Sequence, residues 1–207
     1  MNRTGRPAGP ALFSGLLGLS PLGPRAILGV PAGELAGIDV EGADVLGPLA
    51  GEIQQRLQAA ATWPERFTAL DELLLARVAA DPPGARAEVG YAWHRLLATS
   101  GAEPVSHLAQ ETGWSDRHLR SMFLAEIGLT PKAAARVVRF HRARRRLQHR
   151  AGSGRGLDLA GPAASCGYYD QAHLDRDFRE MAGSSHTRWL AQEFRFFQSS
   201  QTVAEAS

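Results

Sequence analysis

Two stretches of this sequence place hydrogen-bonding side chains on one helical face. In "SDRHLRSMFLAEIG" (Ser115 to Gly128), Leu119, Met122 and Phe123 recur at helical spacing and turn one way. Arg117, Arg120, Ser121 and Leu124 are left on the opposite face. In "DQAHLDRDFREMAG" (Asp170 to Gly183), Leu174, Phe178 and Met181 take the inner face. Ala172, Asp175, Arg176 and Arg179 face outward, and Gln171 sits in the exposed first turn. The chemistry open to such faces is recognition: a guanidinium matches two acceptors on the edge of guanine, and a carboxamide matches the edge of adenine. Catalysis has no comparable signal. The sequence has no HExxH, P-loop or GxSxG motif, and its seven histidines show no ligand spacing. The chain therefore reads as a non-enzyme without metal or cofactor.

The elements that must hold these faces form an internal repeat. Ser115 and Asp170 are expected N-caps, each offering an oxygen to a backbone N–H two or three residues on. Leucine follows each cap by four residues (Leu119, Leu174), phenylalanine by eight (Phe123, Phe178) and glycine by thirteen (Gly128, Gly183). A new cap then starts another helix: Thr130 before Pro131, and Ser185 before His186. Short helices precede both in "VSHLAQETGW" and "LDLAGPAASCG", each ending at a turn glycine. The expectation is two helix-turn-helix units, about 105–126 and 158–182, joined by a basic helix over about 131–149. In that helix Val137, Phe140 and Leu147 are expected to pack. Arg136, Arg139 and some of the run Arg142 to Arg146 carry charge. At 1.5 Å per residue its length suits two reading helices about one DNA turn, roughly 34 Å, apart. Phosphate contacts are expected from Ser115, Lys132, Arg136, Arg139, Tyr169 and Arg179, beside helix N-termini and on basic faces. Asp116, Asp175 and Asp177 would repel phosphate, and are expected to serve helix starts or pair with arginines. Trp114, Tyr168, Phe140 and the thiol of Cys166 read as core.

"LAQETGWSDRHLRSMFLAEIGLTPKAAARVVRFHRAR", "GYYDQAHLDRDFREMAG" and "TRWLAQEFRFFQ" together resemble the AraC/XylS family of bacterial transcriptional regulators over roughly residues 88–195. The resemblance implies double-stranded DNA as partner, with RNA polymerase as a further one, and two reading helices in successive major-groove segments. By position it implies base contacts at Arg117, Arg120 and Ser121, and at Gln171, Ala172 and Arg176 with His173 beside them. Two residues depart from the family pattern. Gly161 and Pro162 stand inside the second short helix, where an interior proline costs roughly 3 kcal/mol, and His186 stands where the family prefers proline.

The fold class expected is all-α, with a short, mostly helical region before the paired units. Residues 1–85 are read as the remnant of a sensor or dimerisation domain, 86–198 as the DNA-binding domain and 199–207 as a disordered tail. Leu22 to Pro31 reads as a strand or extended segment. Helices follow, one from Asp44 with Leu46, Leu49, Ile53 and Leu57 inside. The next is capped by Thr62 and Glu65, with Phe67, Leu70, Leu74 and Val78 as its stripe. A third over 86–98 has Val89, Trp93, Leu96 and Leu97 inside, and "TSGAEP" at 99–104 reads as a linker. Charge is divided unevenly. Residues 1–103 carry 8 basic and 11 acidic side chains, whereas 104–197 carry 15 and 9, so the polyanion partner belongs to the second half. One cysteine and no long apolar run fit a cytoplasmic chain with no membrane partner. The sequence assigns neither effector nor oligomeric state. A competing reading, motivated by Pro162 and the short N-terminal region, is an interaction module that binds a protein partner instead of DNA.

Overall fold

The computed structural model describes residues 18–80, 84–152, 163 and 166–193, and among these there are helices and turns but no strand. The chain divides into two compact units, one of residues 1–90 with 121–128 and one of 91–120 with 129–207.

In the first unit, α1 (Gly23–Leu28) replaces the strand expected at Leu22 to Pro31. Proline in the first turn and Gly29 in the left-handed conformation at the C-cap make a six-residue helix, too short to show a periodicity. A 3-10 turn follows at Ala32–Leu35. The helix expected from Asp44 is split at Gly47, whose φ of 58° and ψ of −134° end α2 (Gly42–Leu46) and begin α3 (Pro48–Ala59). Next comes α4 (Trp63–Ala79), with the capping box in place: Thr62 accepts from the Glu65 N–H, and Glu65 accepts from the Thr62 N–H. Arg66 donates to the carbonyls of Leu57 and Ala60 and closes the α3–α4 turn, and Arg56 pairs with Glu72 at 3.0 Å. The stripe of α4 differs from expectation. Leu73 is buried and lines a groove with Ala76, Leu49 and Leu46, while Phe67 is 60% exposed and Val78 is also exposed.

The helix α5 (Ala87–Ala98) buries Val89, Ala92, Trp93 and Leu96 but leaves Leu97 exposed. The second unit continues with α6 (Val105–Glu111), the start of α7 (Asp116–Ile127), α8 (Pro131–Gly152) and α9 (Gln171–Ala182). Residues 186–193 are again helical. Residues 99–104 connect α5 to α6. Gly101 is buried with φ 73°, and a Cβ there would lie 2.2 Å from the Ala135 carbonyl oxygen. Only glycine permits both the backbone conformation and that approach. Around α8 and α9 the core comprises Ala143, Leu147, Ala163, Cys166, Tyr168, Leu174, Phe178 and Leu190, with Phe140 and Trp189 packed against it. Phe140 meets the Phe178 ring edge-on at 4.8 Å. Val138, not Val137, takes the buried position on α8, one turn after the buried Ala134. Gly161, Pro162 and the tail lie outside the described residues.

Candidate nucleic-acid interface

The repeat seen in the sequence is a repeat of geometry. Before α7, the Trp114 N–H donates to Ala109 at 2.9 Å; before α9, the Tyr168 N–H donates to Ala163 at 3.0 Å. The turn glycines Gly113 and Gly167 have φ of 71° and 79°, and the glycines that end the helices, Gly128 and Gly183, have 80° and 72°. All four expected caps form. Ser115 accepts from the His118 N–H at 3.2 Å and Asp170 from the His173 N–H at 2.7 Å. Thr130 and Ser185 accept from Ala133 and Arg188. The second turn is longer by one residue, Tyr169, which is 93% exposed.

The inner faces are buried as the spacing predicts. Leu119, Phe123, Leu174 and Phe178 are inaccessible, while Met122 and Met181 are half-buried. The outer faces are open: Arg117, Arg120 and Ser121 on α7 and Gln171, Ala172 and Arg176 on α9 are all exposed. His173 is different. It is half-buried, with its ring edge-on to Tyr168 at 5.1 Å. His118, at the matching place on α7, does the same to Trp114 at 4.6 Å. These histidines brace the first turn of each helix against the aromatic that follows the turn glycine. The shared "HL" at 118–119 and 173–174 was the available signal for this pairing.

Of the residues expected on phosphate, Ser115, Lys132, Tyr169 and Arg179 are exposed. Arg179 approaches Asp175 at 4.0 Å but keeps most of its side chain in solvent. Arg136 and Arg139 have other partners. Arg136 donates to Asp177 at 2.7 Å and to both oxygens of Glu180; these carboxylates raise its pKa, and Arg136 in turn holds Glu180 below the usual carboxylate range. Arg139 donates to the Gly101 carbonyl at 3.0 Å, with its stem over Gly167. In this arrangement Arg136 clamps Asp177 and Glu180 on α9, and Arg139 ties α8 to the turn after α5.

The acidic residues on α9 are likewise spent internally. Asp177 is 1% exposed and faces Arg136, and burial together with Asp177 pushes up the Tyr168 phenol. Asp175 accepts from the His186 backbone N–H at 3.1 Å and from its ring Nδ1 at 2.7 Å. Burial raises the Asp175 carboxyl, but His186 and Arg179 outweigh that and hold it below the ordinary range. His186 is the first helical residue after the Ser185 cap, where a proline would lack an N–H. The fully buried histidine instead gives its N–H and its ring to Asp175.

Aligning the two helices by leucine and phenylalanine also shows an exchange. The positions held by Met122 and Glu126 on α7 are held by Asp177 and Met181 on α9. Each helix thus has one buried carboxylate, one turn apart in register, and each is neutralised from elsewhere in the chain. Asp177 pairs with Arg136, and Glu126, 8% exposed, pairs with Arg25. Separations of 41 and 101 residues left neither pair visible in the sequence.

Residues 108–192 match a family described as a helix-turn-helix domain. No curated protein matches the chain, and no solved structure does. Among the described residues, no helix is long and apolar enough to cross a membrane.

Proposed function

We propose that the protein is a sequence-specific transcriptional regulator of the AraC type that reads two successive major-groove segments, a reading supported by the match of residues 108–192 to a helix-turn-helix domain family. One observation carries this reading. Two helices in the same geometric frame bury their apolar faces and leave Arg117, Arg120 and Ser121, and Gln171, Ala172 and Arg176, exposed in the first turns. Arg120 and Arg176 are the base-reading residues, with Arg117 and Gln171 beside them. Ser121 and Ala172 line the same faces and set how closely the bases approach, while His173 holds the first turn of α9. Ser115, Lys132, Tyr169 and Arg179 meet phosphates at the flanks. The joining helix α8 has 22 residues, about 33 Å at 1.5 Å per residue, matched to one DNA turn.

The test is selection of bound duplexes from a random pool at physiological salt. The expected result is an enriched motif with two elements one turn apart. Binding without enrichment that disappears as salt rises would leave only phosphate attraction, and the interaction-module reading would replace this one.

A further inference from the structure

We infer that residues 23–36, far from the reading faces in sequence, form a positioning clasp for the first reading helix. The inference deepens the proposed function by assigning Arg25 a role in DNA reading without DNA contact. Three features of the first unit converge on residues 121–128. Arg25 makes a two-pronged pair with Glu126, Nε to Oε2 at 2.8 Å and Nη2 to Oε1 at 2.9 Å. A bidentate pair fixes orientation as well as distance. Next to it, Gly33 presses its backbone onto the last turns of α7. A Cβ there would lie 2.2 Å from the Ala125 carbonyl oxygen and 2.4 Å from that of Leu124. From the other side Gly128, at φ 80°, would bring a Cβ within 2.8 Å of the Ala36 Cβ. Two glycines, one on each partner, and a neutralised buried carboxylate make a fitted contact.

The carboxylate is no requirement of the helix-turn-helix itself, since α9 has Met181 at the matching position. A buried charge is costly unless paired, so Glu126 makes the seating of α7 conditional on Arg25. Arg117, Arg120 and Ser121 belong to the same continuous helix, and their placement on bases follows the seating of its last turns. Arg25 is thus a positioning residue for reading by α7, and α9 is independent of it.

The test is a double-mutant cycle on the full chain with Arg25→Met and Glu126→Met, read by amide hydrogen exchange without DNA and by sequence selection with it. Arg25→Met alone should speed exchange at residues 121–127 at least tenfold, leave 171–182 unchanged and degrade only one element of the selected motif. In the Glu126→Met background, adding Arg25→Met should change exchange less than threefold, because no buried charge remains to be neutralised. Should Arg25→Met fail to fold, the charge-reversed pair Arg25→Glu with Glu126→Arg should restore slow exchange. Unchanged exchange at 121–127 in Arg25→Met, or an equal effect in both backgrounds, overturns the clasp. Faster exchange with both elements of the motif intact overturns its role in reading. A wild-type chain that enriches no motif removes the proposed function, which the exchange arm alone would not.

Discussion

Helices α7 and α9 solve one packing problem with different resources. Both bury a leucine and a phenylalanine four residues apart, and both start on a capped turn behind a left-handed glycine. They differ in where the stabilising cation comes from. For α9 it is Arg136, on the joining helix and so within the same repeat; for α7 it is Arg25, from outside the repeat altogether. A repeated motif therefore need not carry repeated dependencies, because a single Met-to-carboxylate exchange changes which part of the chain a helix relies on.

The comparison can be broken most severely at Arg136. Arg136→Ala strands Asp177 in a buried position, and should destabilise the second unit by about 3 kcal/mol in denaturant unfolding. A loss below about 1 kcal/mol would mean that the carboxylate takes up a proton or reaches water without cost. Asp177→Met, which copies Met122, should make Arg136→Ala nearly neutral.

Next come the residues proposed to read bases. Arg120→Ala and Arg176→Ala should each cost about 1–3 kcal/mol in specific binding and relax preference at one position of the site. Lys132→Ala should instead weaken all sequences evenly and lower the salt slope by about 1. Binding isotherms on matched and single-substituted duplexes at several salt concentrations separate the two behaviours.

The caps provide a smaller, like-for-like contrast. Ser115→Ala and Asp170→Ala should each cost about 1 kcal/mol in thermal unfolding, with α9 more affected because its cap bond is 2.7 Å against 3.2 Å. Equal losses would show that cap geometry does not distinguish the helices.

The smallest effect is a pH slope. The folded Asp175 carboxyl lies below its ordinary value, while in the unfolded chain it titrates near about 3.9. Its contribution is therefore complete above that unfolded value and is lost as pH falls through the lower folded one. The contribution of Asp175 should be flat from neutral pH to about 5 and then decline, and Asp175→Asn should remove that part of the acid loss. A decline of the same steepness in both proteins would place the acid sensitivity elsewhere.

Local features were legible in the sequence, and pairings over distance were not. Thr62 with Glu65, Ser115, Thr130, Asp170 and Ser185 all cap as read, because a cap is decided within three residues. The inner faces of α7 and α9 follow from leucine and phenylalanine at helical spacing. Leu22 to Pro31 misled because a six-residue helix shows no periodicity, so its proline and glycine read as an extended segment. On α5 and α8 the expected face is right at Val89, Trp93, Leu96, Phe140 and Leu147 and fails only at its edge, where Leu97 and Val137 are exposed, whereas on α4 Leu73 is the buried residue and Phe67 and Val78 are exposed. Within the site, the outward arginines and Gln171 could be read directly. The spending of Arg136 on Asp177 and Glu180 and of His186 on Asp175, and the packing of His173 on Tyr168, depend on which elements meet.

The most direct test of the central claim is a side-by-side selection from one random duplex pool with wild-type protein, Arg120→Ala and Arg176→Ala. The account predicts a two-element motif for the wild type, with Arg120→Ala degrading one element and Arg176→Ala the other. Variants that degrade the same element, or that enrich the wild-type motif unchanged, would contradict the claim that two helices each read their own segment.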